Sequence, residues 1–315
     1  MLDVRFNRKT IRGSLARQLL KMGQQLSFIK KHGPVDFGRI YTTKLSVDFV
    51  FPKKFMNEWI TYKTARMERI SLRSGKSPNI ILQFHGGAYV SGYSDVYRRS
   101  AIKYFNISCG TDVISLDYRL APKYPYPAAL EDAVAAYEYL LVEGYQADQI
   151  MIVGDSAGGG LALALGLYLR DHEIALPRAI ITMSAWTDLA QEGESYLRNR
   201  HLDPLLGEGT QPLDILAYAG SKEMIKHPYI SPAYGNYEDF TTLMMHVGTD
   251  EVLESDTITV AKKAANAGNQ VSVTMYRGMF HVFQLAFDLI PEAKKSWNHI
   301  RDFIQYEFGC ARIKK

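Results

Sequence analysis

From residue 79 onward, apolar runs of strand length alternate with runs of helix length, and that alternation leaves few folds open. Strands are expected over 79–84, 113–116, 149–153, 179–183, 243–248 and 270–276. Helices are expected over 97–107, 129–141, from Gly159 onward, over 255–267 and over 292–306. A strand, a crossover helix and the next strand pack back on themselves as a right-handed unit. Repeated, this gives an α/β fold: a doubly wound, mostly parallel sheet with helices on both faces. The run Lys44–Val50 is expected to add an antiparallel edge strand. A chain of 315 residues can bury the core of one large domain, taken here as 1–315. Sheets of this kind place their chemistry on loops at the carboxyl ends of the strands.

One of those junctions is unusual. Gly154-Asp155-Ser156-Ala157-Gly158 separates the apolar run Gln149–Val153 from the helix that starts at Gly159. A G-x-S-x-G turn between strand and helix lifts the Ser hydroxyl clear of the backbone. A Cβ two residues to either side of the Ser would collide. The hydroxyl then sits over a helix N-terminus, whose N–H groups favour negative charge.

A serine nucleophile needs a base, an acid that orients the base, and donors for the oxyanion. On a sheet with this kind of turn the chain order is Ser, acid, His. The upstream run 79–84 ends in His85-Gly86-Gly87-Ala88-Tyr89, whose small residues let backbone N–H groups face a ligand. Gly87 and Ala88 are the expected donors, Gly86 shapes the loop, and Ala157 adds the N–H that follows the nucleophile. His85 precedes the serine and is expected to brace the loop.

Asp250 follows the strand 243–248 and is the expected acid. Glu251, Glu254 and Asp256 compete with it, but acidic residues are favoured at the start of a helix by the dipole alone. His281 follows the last apolar run and lies downstream of Asp250, so it is the expected base. The other seven histidines are expected to serve surface or packing roles. Tyr89, Trp186, Phe280 and Phe283 are candidate walls of a substrate pocket.

Two segments fall outside the alternation: residues 1 to about 40, and 189 to about 228, which is punctuated by Pro204, Gly207, Gly209 and Pro212. The second enters between a strand and the acid-bearing strand, where it can lie over the nucleophile. Its length argues against a structureless loop.

Composition excludes several classes. Net charge is +4, too small and dispersed for nucleic-acid binding. The longest apolar run, Leu161–Leu169, is too short to span a bilayer, so no stable membrane insertion is expected. The N-terminus lacks the apolar stretch of a signal peptide. Cys109 and Cys310 are far apart in sequence and form neither a disulfide framework nor a metal pair. A cytoplasmic setting follows as the default.

Taken together, these motifs resemble the hormone-sensitive-lipase-like branch of the α/β-hydrolases, the bacterial carboxylesterases and acetyl esterases. The matching pieces are His85–Tyr89, Asp117–Pro122 running into Tyr126–Asp132, Gly154–Gly159, Trp186–Leu189, Tyr229–Pro232, Asp250–Leu253 and Gly278–His281. They occur in the family's order from about residue 45 onward. The resemblance implies the α/β-hydrolase fold with a helical cap formed by the two irregular segments. It implies a serine carboxylesterase that works through an acyl-enzyme on short-chain acyl esters, with no metal or organic cofactor. The partner expected is a small-molecule ester, and a homodimer stays open. The family usually has a third glycine where this chain has Ala88, which makes esters of tertiary alcohols poorer substrates. An amidase or peptidase on the same triad, and a non-catalytic ligand-binding protein of this fold, are the alternatives.

Overall fold

The computed structural model describes residues 2–7, 9–29, 45–46, 49–73, 75–208 and 214–310, with backbone alone for 23–29. The expected strand 44–50 and the loop glycine and proline at 209 and 212 lie wholly or partly outside these residues. Of the former, 45–46 and 49–50 are not in a strand.

Nine described strands form one sheet: β1 (Leu2–Asn7), β2 (Phe55–Tyr62), β3 (Ala65–Leu72), β4 (Ile80–Phe84), β5 (Asp112–Leu116), β6 (Ile150–Asp155), β7 (Ala179–Met183), β8 (Thr242–Gly248) and β9 (Val271–Tyr276). Their order is β1-β9-β8-β7-β6-β4-β5-β3-β2. All pairings are parallel except β2 with β3 and β3 with β5. The longer helices are α1 (Ile11–Ile29), α2 (Asp95–Ile107), α3 (Ala128–Val142), α4 (Ala157–Asp171), α7 (Glu254–Asn266) and α8 (Pro291–Glu307). Two short ones, α5 (Ser195–Arg198) and α6 (Ile215–Ala219), lie in the insertion between β7 and β8.

The central strands are buried on both faces, which is why their sequences read as unbroken apolar runs. Successive side chains alternate between two cores. Ile80, Leu82, Ile150 and Ile152 pack on one face with Ala133, Leu140, Leu161 and Val260 from α3, α4 and α7. Ile81, Met151 and Val153 pack on the other with Tyr104 and Phe105 of α2 and Trp297, Ile300 and Ile304 of α8. Each such Leu or Ile, fully withdrawn from water, stabilises the fold by about 1.5–3 kcal/mol.

Three strands were not legible in the sequence. β1 is exposed along nearly its whole length and lies on the sheet edge beside β9, so no period-2 burial marks it. This places residues 2–7 in the sheet rather than in a cap. β2 is mostly exposed as well, and the β2–β3 hairpin turns at Lys63, which takes φ 51° without an Asn-Gly signal. Cys109 and Cys310, far apart in sequence, meet at the ends of α2 and α8.

Candidate active site

β6 is the fifth of the nine strands, and its carboxyl end carries Ser156. The serine sits at φ 52°, ψ −123°, a conformation that L-residues rarely adopt. Neighbouring backbone holds it there. Ser156 donates its N–H to the Met183 carbonyl at 3.0 Å, and its own carbonyl accepts from Trp186 at 2.9 Å and Gly160 at 3.1 Å. A Cβ on Gly154 would run into the Gly158 carbonyl, and one on Gly158 into the carbonyls of Phe84 and His85. The turn therefore closes only with glycine at both positions.

His281 follows β9 and is 1% exposed. Its Nε2 lies 2.9 Å from Ser156 Oγ. Its Nδ1 lies 3.2 Å from Glu251 Oε2. The carboxylate against the imidazole is thus Glu251, and the expectation of Asp250 is corrected. Asp250 faces the other way: its Oδ2 pairs with Arg17 Nη1 at 3.0 Å and its Oδ1 accepts from Thr249 Oγ1 at 3.2 Å. The backbone after β8 turns just enough that the next residue, one methylene longer, enters the interior. Glu254 is taken by Arg198 at the surface. Buried Asp256 accepts the N–H groups of Thr187 and Asp188, both at 2.8 Å.

Sequence reasoning missed Ser184. Its hydroxyl donates to Glu251 Oε1 at 2.8 Å and accepts the Val282 N–H at 3.1 Å, joining the acid to the residue after His281. Its place directly after β7 was the available signal. Gly248 donates its N–H to the same Oε1 at 2.5 Å.

Burial pushes the Glu251 carboxyl up to about 8, against the opposing hydrogen bonds from Gly248 and Ser184. Burial also pushes the His281 imidazole down to about 4, against the attraction of Asp203. The second direction keeps His281 in the neutral form, the only one that can take a proton from Ser156.

The loop after β4 turns back through three residues at positive φ: Gly87 (116°), Ala88 (54°) and Tyr89 (63°). Among the described residues no acceptor takes the N–H of Gly87 or Ala88. Ala157 is the first residue of α4, where N–H groups lack a helical partner. Gly86 differs. Its N–H donates to Tyr97 Oη at 2.8 Å, so within the loop it is a spacer and not a donor to a ligand. A Cβ there would strike Asp155 and come within 3.1 Å of Ser156 Cβ. Tyr97 in turn donates to Asp155 Oδ2 at 3.2 Å. Asp155 is fully enclosed, and its carboxyl is pushed up to about 7 by burial. His85 stacks on Tyr118, ring centroids 4.0 Å apart, as a brace beneath this loop.

Of the four candidate pocket walls, Phe283 is core, fully buried beside Tyr276 and Met279. Phe280 is 7% exposed in the same cluster. Tyr89 stacks face to face on Tyr218 of α6 at 3.6 Å, with Trp186 6.4 Å away.

The insertion grips the acid loop. Asp203 accepts the Val252 N–H at 2.9 Å, and Asn199 Nδ2 donates to the carbonyls of Thr249 at 3.0 Å and Glu251 at 2.6 Å. Lys21 of α1 reaches the His201 carbonyl at 2.8 Å. Among the described residues no helix is long and apolar enough to cross a membrane.

A strained serine on the central strand, bonded to a buried histidine that is bonded to a buried carboxylate, defines a serine hydrolase site. The family model described as alpha/beta hydrolase fold matches residues 81–285, and the chain belongs to that family. It is a serine carboxylic ester hydrolase, similar to curated esterases over most of its length. It is 34% identical over 233 residues to an acetyl-hydrolase of Streptomyces hygroscopicus, covering 74% of this chain and 76% of that one. It is 33% identical over 224 residues to an esterase of Acinetobacter venetianus, covering 71% and 74%. Among solved structures, EstE5 soaked with p-nitrophenyl butyrate aligns with TM-score 0.83 at 29% identity, over 96% of this chain and all of that one. An esterase from the bacterial hormone-sensitive lipase family aligns with TM-score 0.80 at 27% identity, again over 96% and 100%.

Proposed function

We propose that the site hydrolyses short-chain acyl esters, acetyl to roughly hexanoyl, through a triad of Ser156, His281 and Glu251. The observation that carries the triad is the 2.9 Å contact between Ser156 Oγ and His281 Nε2, aligned with Glu251 on the far side of the ring. His281 takes the hydroxyl proton as Ser156 Oγ attacks the ester carbonyl. Glu251 holds the imidazole with Nδ1 protonated and stabilises the imidazolium. The N–H groups of Gly87, Ala88 and Ala157 receive the oxyanion. His281 Nε2 then protonates the departing alcohol, and a water repeats the sequence on the acyl-enzyme.

The length preference rests on three supports. The Ala88 methyl stands beside the oxyanion loop. Tyr89, Trp186 and Tyr218 stack behind it in a closed aromatic group. Relatives are named acetyl-hydrolase, and the structure of one similar esterase was solved after soaking with a butyryl ester. Residues 189–208 and 214–228, together with α1, serve as a cap that excludes water from the serine. Each added methylene is worth at most about 1–3 kcal/mol of discrimination, and steric conflict soon exceeds that. The test is kcat/KM for acetyl, butyryl, octanoyl and palmitoyl p-nitrophenyl esters at monomeric concentrations. An optimum at acetyl or butyryl is expected. An optimum at octanoyl or beyond, or a jump in rate above the aggregation point, would overturn the reading.

A further inference from the structure

The two cysteines lie at equivalent places on neighbouring helices. Cys109 follows the last turn of α2 at φ 60°, and Cys310 follows Gly309, at φ 62°, beyond the last turn of α8. The helix ends are laced together. Gln305 Nε2 donates to the Ile107 carbonyl at 2.8 Å, the Cys310 N–H is held by the Gln305 carbonyl at 2.9 Å, and Cys310 Sγ lies 3.9 Å from the Ser108 carbonyl. That carbonyl belongs to the residue just before Cys109, so the two cysteines are neighbours across the helix ends. Cys109 is exposed, and Cys310 lines a cleft of about 250 Å³ with Asp302, Gln305, Tyr306 and Gly309.

We propose that Cys109 and Cys310 are a reversible dithiol–disulfide site that, when oxidised by a low-molecular-weight disulfide, fastens the end of α8 to the end of α2. The exposed Cys109, as thiolate, attacks one sulfur of the small disulfide. A protein mixed disulfide forms and one small thiolate leaves. Cys310, after losing its proton to solvent, attacks the Cys109 sulfur, the internal S–S bond forms and the second small thiolate leaves. Two electrons and two protons pass from the protein to the oxidant, which ends as two thiols. The order follows from exposure. Burial and then the neighbouring thiol push Cys310 up to about 11, so it resolves more readily than it initiates. The bond would close a loop containing most of the sheet, and long loops gain most from closure.

The test uses the full chain with excess oxidised glutathione, acid quench, non-reducing intact mass and peptide mapping. Wild type is expected to lose two hydrogens, to yield a single peptide pair joined at Cys109 and Cys310, and to gain roughly 5–8 °C in Tm that dithiothreitol reverses. Cys109→Ser and Cys310→Ser are each expected to carry at most one glutathionyl group and to show no such gain. The proposal is overturned if wild type keeps glutathione on both cysteines, forms only disulfide-linked dimers, or remains a dithiol under conditions that glutathionylate either single variant. A cross-linked protein with unchanged Tm would overturn the fastening role.

Discussion

Asp203 Oδ2 accepts the Val252 N–H at 2.9 Å, so a residue of the insertion fixes the backbone immediately after Glu251. Both Asp203 oxygens are used, because Oδ1 also receives the N–H groups of Leu205 and Leu206. Replacing Asp203 with Ala leaves the buried Val252 N–H unpaired, at a cost of about 1–3 kcal/mol. The expected outcome is a lower Tm and a kcat reduced about tenfold or more, since the acid shifts relative to His281. Unchanged kcat would show that the insertion only covers the site.

The acid itself is tested by a pair of variants. Glu251→Gln should lower kcat/KM by about 10³–10⁴, the order seen when a triad acid is neutralised without changing its shape. Asp250→Asn should lower it by less than about tenfold, because Asp250 bonds to Arg17 and not to the imidazole. The reverse ranking would return the role to Asp250.

Ser156→Ala should keep the wild-type Tm within a few degrees and reduce turnover by about 10⁴-fold or more. Retention of more than about a hundredth of wild-type turnover, on the scale set by triad deletions, is incompatible with Ser156 as nucleophile.

The pH profile should carry the mark of burial. With His281 depressed to about 4, the base form persists well below pH 6.5. With Glu251 raised to about 8, its carboxylate forms as pH rises through that value. Activity is therefore expected to climb between pH 7 and 9 in steady-state kinetics, with apparent values that belong to the pair. The climb should be absent in Glu251→Gln. The same climb in that variant would assign it to another group.

Asp155 gives a stability prediction with a definite sign. Its carboxyl is raised by burial from 3.8 to about 7, so the native state holds a proton that the unfolded chain releases. The favourable contribution is present below about pH 4 and is lost as pH rises through 7. Asp155→Asn removes the ionisation and preserves an acceptor for Tyr97. Its Tm relative to wild type should therefore be higher at pH 8 than at pH 5. An equal offset at both values would refute the shift.

The parts of the sequence that could be read were those buried on both sides. β4, β6, β7 and β8 announced themselves as apolar runs, and the serine turn as two glycines that no other residue could replace. The hidden parts lie where burial is one-sided or absent, or, in β3, where the buried Glu68 and Arg69 interrupt the apolar run. β1 and β2 present mostly solvated side chains, so burial singles out no face of either, even where Leu2, Val4 and Phe6 alternate with polar residues. Between Asp250 and Glu251, chain order and strand-end position pointed to the earlier residue. Only the direction of the chain after β8 decides which carboxyl turns inward. Ser184 and Asp203 act through single hydrogen bonds to distant residues, and a one-dimensional pattern holds no trace of such bonds. The meeting of Cys109 with Cys310 belongs to the same kind, since it depends on two helices ending side by side.

The parallel pairing of β1 with β9 also sets a timetable. Leu2 is matched to Val271 and Asn7 to Tyr276, so β1 has no partner in the sheet until synthesis has run through β9. Until then β8 is the growing edge of the sheet, and β1 waits unpaired with Leu2, Val4 and Phe6 in solvent. His281 closely follows β9, so the strand that receives β1 and the loop that bears the base are made together. A nascent chain that stops short of β9 therefore lacks its base and leaves its outermost strand unpaired.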